Sequence, residues 1–177
     1  MFTVIYNVKT RYLVLPRLFT FAFLFLPFAF TACGPSRAAV VSADATAGYC
    51  AVCKMQVKRD EAWAAEIYYS DGKKMIFKSP AHLLEFYLAP AKFEAPDAQK
   101  DRANITRIVV KDYQTGKPID ARAASFVMNS KVEGEMGPDF VPFDSRQAAE
   151  KFVRENRGSI VTLNEVTLDM VQSLRKK

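Results

Sequence analysis

The sequence predicts an α+β fold of two similar ββαβ halves, set behind an export signal and a flexible tether. Three observations lead there: a cationic-then-apolar N-terminus, a Pro/Ser/Ala-rich stretch behind it, and an order of elements that repeats at an offset of 66 residues. The 177 residues, half of them apolar and a quarter charged, suffice for one globular unit or two small ones.

The N-terminal segment carries Lys9, Arg11 and Arg17 with no acid, then an almost purely apolar run from Leu18 to Phe30. Crossing a bilayer takes about 20 apolar residues; Pro16 and Arg17 cut this run short and Pro27 interrupts it, so it reads as a secretory signal peptide. Phe30-Thr31-Ala32-Cys33 places small side chains just before a cysteine, the arrangement a lipoprotein signal peptidase cleaves. Cys33 is therefore expected to be the lipidated first residue of the mature chain. Gly34 behind it, in place of Asp, points to the outer membrane of a Gram-negative cell. From Gly34 to Gly48 the composition suits a flexible tether.

The folded part is expected to begin near Tyr49. In the first half, Ala64–Tyr69 reads as a strand and Ser70-Asp71-Gly72 as a turn. Met75–Phe77 reads as a second strand and Ala81–Leu88 as a helix with an apolar face of Leu83, Leu84, Phe86 and Tyr87. Ser79 can cap that helix, because its hydroxyl accepts from the free N–H groups of the first turn, and Pro80 suits the first helical position. Ile105–Val110 closes the half, after a linker marked by Pro90, Pro96 and the charged stretch from Asp97 to Arg102.

The second half repeats the order with Ala123–Met128, a longer turn through Gly134 and Gly137, Phe140–Phe143, a helix from Arg146 to Arg154, and Ile160–Leu163. Asp144 or Ser145 caps this helix, Ala148, Ala149, Phe152 and Val153 form its apolar face, and Gly158 stands where a C-cap is expected. Phe77 falls on Phe143, Ser79 on Ser145 and Phe86 on Phe152. The organisation is thus 1–32 signal peptide, 33–48 tether, 49–113 first half, and 114–177 second half.

Setting aside Lys9, Arg11 and Arg17 leaves 22 basic residues against 19 acidic ones, a net of +3. No basic cluster interleaved with aromatics remains, which argues against a nucleic-acid partner. Lys58-Arg59 and Lys73-Lys74 read as solvated positions.

With Cys33 lipidated, the folded part holds two cysteines, in Cys50-Ala51-Val52-Cys53-Lys54-Met55. A c-type haem would need His after the second cysteine, but Lys54 stands there. A structural zinc site wants four ligands, and His82 is the single histidine. A thioredoxin-like pair should open a helix, whereas this motif follows a tether. The methionine two residues beyond the pair changes the chemistry. Thiolate and thioether are both soft donors and together favour Cu(I). On an extended segment Cys53 and Met55 would share one side. Met136, between Gly134-Glu135 and Gly137, sits in a loop that leaves its side chain exposed or facing a cleft, which suits a third sulfur ligand. Met75 and Met128 fall at strand positions and read as packing residues. His82, near a helix N-terminus whose dipole disfavours its cation, is a reserve ligand. No nucleophile motif, phosphate-binding glycine loop or metalloprotease pattern is present, so no enzyme is expected.

These residues resemble a known family. The lipoprotein signal, the Cys50–Met55 motif, the stretch from Asp71-Gly72-Lys73 to Phe77 with its helix, and Gly134-Glu135-Met136-Gly137 through Pro142-Phe143 together look like the NosL accessory proteins of the nitrous oxide reductase system. The resemblance runs from Tyr49 to about Val166. It implies a Cu(I)-binding lipoprotein of two ββαβ halves, facing the periplasm. Its partners would be the nitrous oxide reductase apo-enzyme or other copper assembly proteins, and the membrane through the lipid anchor. It places the metal on Cys53, Met55 and Met136, with Cys50 as a further sulfur. Lys54 departs from the glycine common in the family. Beside the copper carrier, two other readings stay open: a periplasmic thiol-disulfide oxidoreductase using Cys50 and Cys53, and a structural lipoprotein with an inert disulfide.

Overall fold

Ala65, Ile67 and Tyr69 alternate with Glu66 and Tyr68, the period of two that gives a strand one face for a core and another for polar partners. The computed structural model describes residues 48–58 and 60–174, which all fall in a single unit. The signal peptide, Cys33 and the tether up to residue 47 lie outside the described residues.

In chain order, Gly48–Tyr49 (β1) and Gln56–Val57 (β2) form a small antiparallel pair. Ala65–Tyr69 (β3), Lys74–Phe77 (β4) and Pro80–Leu88 (α1) follow. A linker with the short helix Asp97–Lys100 (α2) leads to Ile105–Lys111 (β5) and Pro118–Asp120 (β6). Then come Ser125–Met128 (β7), the hairpin Glu133–Gly134 (β8) and Gly137–Pro138 (β9), and Val141–Phe143 (β10). Arg146–Asn156 (α3), Ser159–Thr162 (β11) and Leu168–Leu174 (α4) complete the chain.

Both halves use the same wiring. β3 is central between β4 and β5, with β6 added outside, and β7 is central between β10 and β11; every pairing is antiparallel. The registers match as well, since Ala65 faces Phe77 in one sheet and Ser125 faces Phe143 in the other. The ββαβ order expected from the sequence is therefore the observed one. The helices also start alike: Ser79 accepts from the His82 N–H and Ser145 from the Ala148 N–H.

The boundaries differ in instructive ways. Gly48, expected in the tether, is already paired with Val57. α3 runs two residues beyond Arg154 and ends where Arg157 and Gly158 take positive φ. Gly158 is required there, because a Cβ would stand 2.7 Å from the Met128 carbonyl oxygen. Leu168–Leu174, to which the sequence assigned no element, forms a helix that packs on α1, with Val171 and Leu174 buried. Lys74, expected in solvent, instead pairs with Glu66 at 2.9 Å and leans over the Tyr68 ring.

A large apolar cluster unites the halves, taking Ile67, Leu83, Leu84, Phe86 and Ile108 from the first and Phe126, Met128 and Phe140 from the second. A smaller one of Val127, Val141, Phe143, Ala149 and Phe152 lies under α3. β7 serves both, Phe126 and Met128 pointing to one cluster and Val127 to the other, so all four of its residues are buried. Met128 and Met75 are packing residues as expected, the latter receiving the Tyr69 hydroxyl on its sulfur at 3.6 Å. Among the described residues no helix is long and apolar enough to cross a membrane.

Candidate metal centre

Cys50 and Met55 stand at the two ends of the loop that joins β1 to β2. The Cys50 N–H donates to the Met55 carbonyl at 2.8 Å, and the Lys54 N–H donates back to the Cys50 carbonyl at 2.9 Å. A third bond, from the Ala51 N–H to the Ile76 carbonyl at 2.9 Å, pins the loop against the edge of β4. The extended segment expected around Cys53 is not formed: Ala51–Cys53 is a turn, and Lys54 takes φ +62°. A left-handed residue is needed because the chain must reverse within six residues to pair Tyr49 with Gln56. That conformation favours glycine, so Lys54 carries strain that a glycine would not.

The turn brings both thiols together, and α1 supplies the third donor. Ser79 and Pro80 start that helix directly after β4, so His82 sits in its first turn, facing the loop. His82 Nδ1 lies 3.5 Å from Cys50 Sγ, and one donor atom each from Cys50, Cys53 and His82 lie within 4.8 Å of one another. Ligands of one ion at about 2.3 Å for sulfur and 2.0 Å for nitrogen stand at most ~4.6 Å apart, so only a small inward movement is needed. Both cysteines are free thiols.

Their protonation differs. Burial raises the Cys50 thiol, but hydrogen bonds from His82 and from the backbone N–H groups of Cys53, Lys78 and Val52 outweigh it and bring the pKa down to about 6. Burial and the neighbouring Cys50 sulfur push Cys53 up, against a bond from the Met55 backbone. The Cys50 sulfur is thus favoured as a thiolate at neutral pH, whereas Cys53 is a thiol that a metal would have to deprotonate.

The expected ligands divide into two groups. Cys50 and the reserve ligand His82 are inside the cluster, both buried, at 0% and 5% exposure, with Cys53 half-buried at its mouth. Met55 and Met136 are exposed, at 48% and 40%, which is uncommon for thioethers. Met136 occupies the turn of the β8–β9 hairpin, where Gly137 takes φ +92°. That hairpin is tied back to the first half: Glu135 pairs with Lys78 at 2.9 Å, and Asp139 Oδ1 accepts from the Ala81 N–H of α1 at 2.8 Å. Cys33 lies outside the described residues.

Asp139 and Lys78 are the residues that sequence reasoning passed over. Asp139 is almost fully buried, and burial lifts its carboxyl to about 6 despite hydrogen bonds from Ser79, Phe140 and Ala81. Its signal was a lone acid at the head of the apolar run Phe140–Phe143. Lys78 had none, since a lysine before a helix cap is ordinarily solvated.

The NosL family model matches residues 42–171. The fold resembles the crystal structure of the copper chaperone NosL from Shewanella denitrificans, with a TM-score of 0.57, 24% identity, and coverage of 71% of this chain and 93% of that one. The solution structure of apo-NosL from Achromobacter cycloclastes aligns with a TM-score of 0.44 and 28% identity, over 60% of this chain and 87% of that one. No curated protein sequence matches the chain.

Proposed function

We propose, on the premise that this chain belongs to the NosL family, that it is a Cu(I) carrier and not an enzyme. Cys50, Cys53 and His82 form its inner ligand group, and the thioethers of Met55 and Met136 close over the ion. The observation that carries this reading is the convergence of two thiols and one imidazole within 4.8 Å; the exposed thioethers of Met55 and Met136 supply the further soft donors. Thiolate and imidazole alone would also suit Zn(II), whereas thioethers discriminate in favour of Cu(I). An exposed, exchangeable thioether is what a carrier needs, because a partner's ligand can displace it without unfolding the site.

The oxidoreductase reading fits less well. A disulfide-exchanging pair needs an accessible thiolate, but here the sulfur with the lowered pKa, Cys50, is the fully buried one. Lipidation at Cys33, a periplasm-facing position on the outer membrane, and delivery to the copper centres of nitrous oxide reductase complete the proposal; they follow from the signal sequence and the family.

Anaerobic titration of the reduced protein with Cu(I) against a competing chelator tests the reading. One tightly held ion is expected, with weaker retention in Met55→Leu and Met136→Leu at unchanged circular dichroism. Failure of the reduced protein to retain copper would overturn it.

A further inference from the structure

Cys50 and Met55 lie some eighty residues from Met136 in the chain, and one side chain bonds to segments on both sides of that gap. The Lys78 ammonium has three N–H donors and spends them on three segments: Glu61 Oε1 at 2.6 Å, Glu135 Oε2 at 2.9 Å and the Gln56 carbonyl at 3.2 Å. Gln56 directly follows Met55, and Glu135 directly precedes Met136. The residue after this lysine, Ser79, caps the helix that carries His82. Lys78 is 8% exposed, and among the described residues it makes the only ion pairs of Glu61 and of Glu135.

Resting on the copper-carrier reading, we propose that Lys78 is the positioning residue of the site, its ammonium latching the β1–β2 loop to the β8–β9 hairpin so that Met55 and Met136 reach one ion. The backbone elements alone do not do this. The β1–β2 loop is bridged to β4 through Cys50 and Ile76, but among the described residues β8 and β9 pair as strands only with each other. Asp139 Oδ1, which accepts from the Ala81 N–H, secures the base of the β8–β9 hairpin and not its tip. Glu135, at the tip, is held through Lys78. A buried ion pair of this kind does little for net stability but specifies one arrangement of the groups it joins.

Competition titrations on the full chain, with Cu(I) and separately with Zn(II), test the latch. Lys78→Met removes all three bonds. Glu135→Ala cuts the hairpin arm alone at a partly exposed residue and leaves folding intact. Partners outside the ligand sphere cost roughly 10–100-fold in metal affinity, so Cu(I) binding should fall about ten-fold in Glu135→Ala and toward a hundred-fold in Lys78→Met, with Lys78→Arg recovering part of the loss. Zn(II), held by Cys50, Cys53 and His82 without thioethers, should keep its affinity in Glu135→Ala. Met136→Leu should add nothing once Glu135→Ala is present. Equal losses for both metals, or fully additive effects of Glu135→Ala and Met136→Leu, would make the lysine a general structural residue and overturn the latch. If wild type binds Cu(I), Met136→Leu weakens it, and the Lys78 and Glu135 variants do not, the latch fails and the carrier stands. If wild type binds no Cu(I), both fall.

Discussion

The two ββαβ halves share wiring, register and helix caps, yet only the first faces the cysteines with chemistry. The 66-residue offset puts Ala148 where His82 stands and Asp144 where Lys78 stands, while the apolar and capping positions Phe77, Ser79 and Phe86 keep their types in Phe143, Ser145 and Phe152. The halves also differ in what is inserted. Ala65 and Phe77, which pair across the first hairpin, are 12 positions apart, and their counterparts Ser125 and Phe143 are 18 apart. The six additional residues carry Met136. The candidate site is therefore assembled from what the halves do not share, on a frame built from what they do.

That division can be broken most sharply at Cys50. Cys50→Ser should cost more than the roughly 100-fold that outer groups cost, abolishing Cu(I) retention against a chelator, whereas the matching damage to the frame should leave binding alone. Phe152→Ala, which empties the aromatic cluster of Tyr113, Phe143 and Phe152 under α3, should lose about 4 kcal/mol of stability in urea unfolding with copper affinity unchanged. A fall in affinity there would show that site and frame are not separable.

Asp139 sharpens the comparison, because it belongs to the second half and caps the first half's helix. Its carboxyl titrates at about 6 in the fold against 3.8 in an unfolded chain. The native state therefore keeps a proton that the unfolded state has released, and stability falls as pH rises from about 4 to about 6, by roughly 3 kcal/mol in total. Asp139→Asn, which keeps the acceptor for Ala81 and Phe140 and removes the charge, should flatten that dependence in apo-protein unfolding curves.

The smallest effect concerns Lys54, which takes φ +62° in the cysteine loop. Lys54→Gly should stabilise the apo protein, read as a higher melting temperature, by at most about 1 kcal/mol, the relieved strain less the entropy that glycine adds to the unfolded chain. The same variant should leave Cu(I) affinity within two- to three-fold, roughly the 0.5 kcal/mol scatter of substitutions that touch no ligand. For the cysteines themselves, thiolate absorbance of the apo protein should show one titration with a midpoint at about 6, absent in Cys50→Ser.

Much of the frame was legible because its determinants are local. The alternation in Ala65–Tyr69, the Ser79-Pro80 and Ser145 helix starts, and Gly158 after α3 each act through the dihedrals and hydrogen bonds of a few neighbouring residues. α4 was missed because its stability comes from packing Val171 and Leu174 on α1, and seven residues carry little periodic signal of their own. The turn at Cys50–Lys54 was read as extended because Lys54 conceals a position that glycine would have announced.

The candidate site divides along the same line. The donor types, two thiols and two thioethers, were written in the chain, and the expectation of a soft monovalent ion rested on them. Which donors meet was decided in three dimensions. His82 lies 32 residues from Cys50 and reaches it only because β4 ends beside the cysteine loop and the Ser79 cap turns the first helical turn toward it. Lys78 and Asp139 acquire their roles by losing water among groups from distant segments. Spacing along a chain sets the faces of a helix or strand, but a ligand sphere is a set of distances between elements, and those follow from sheet register and burial.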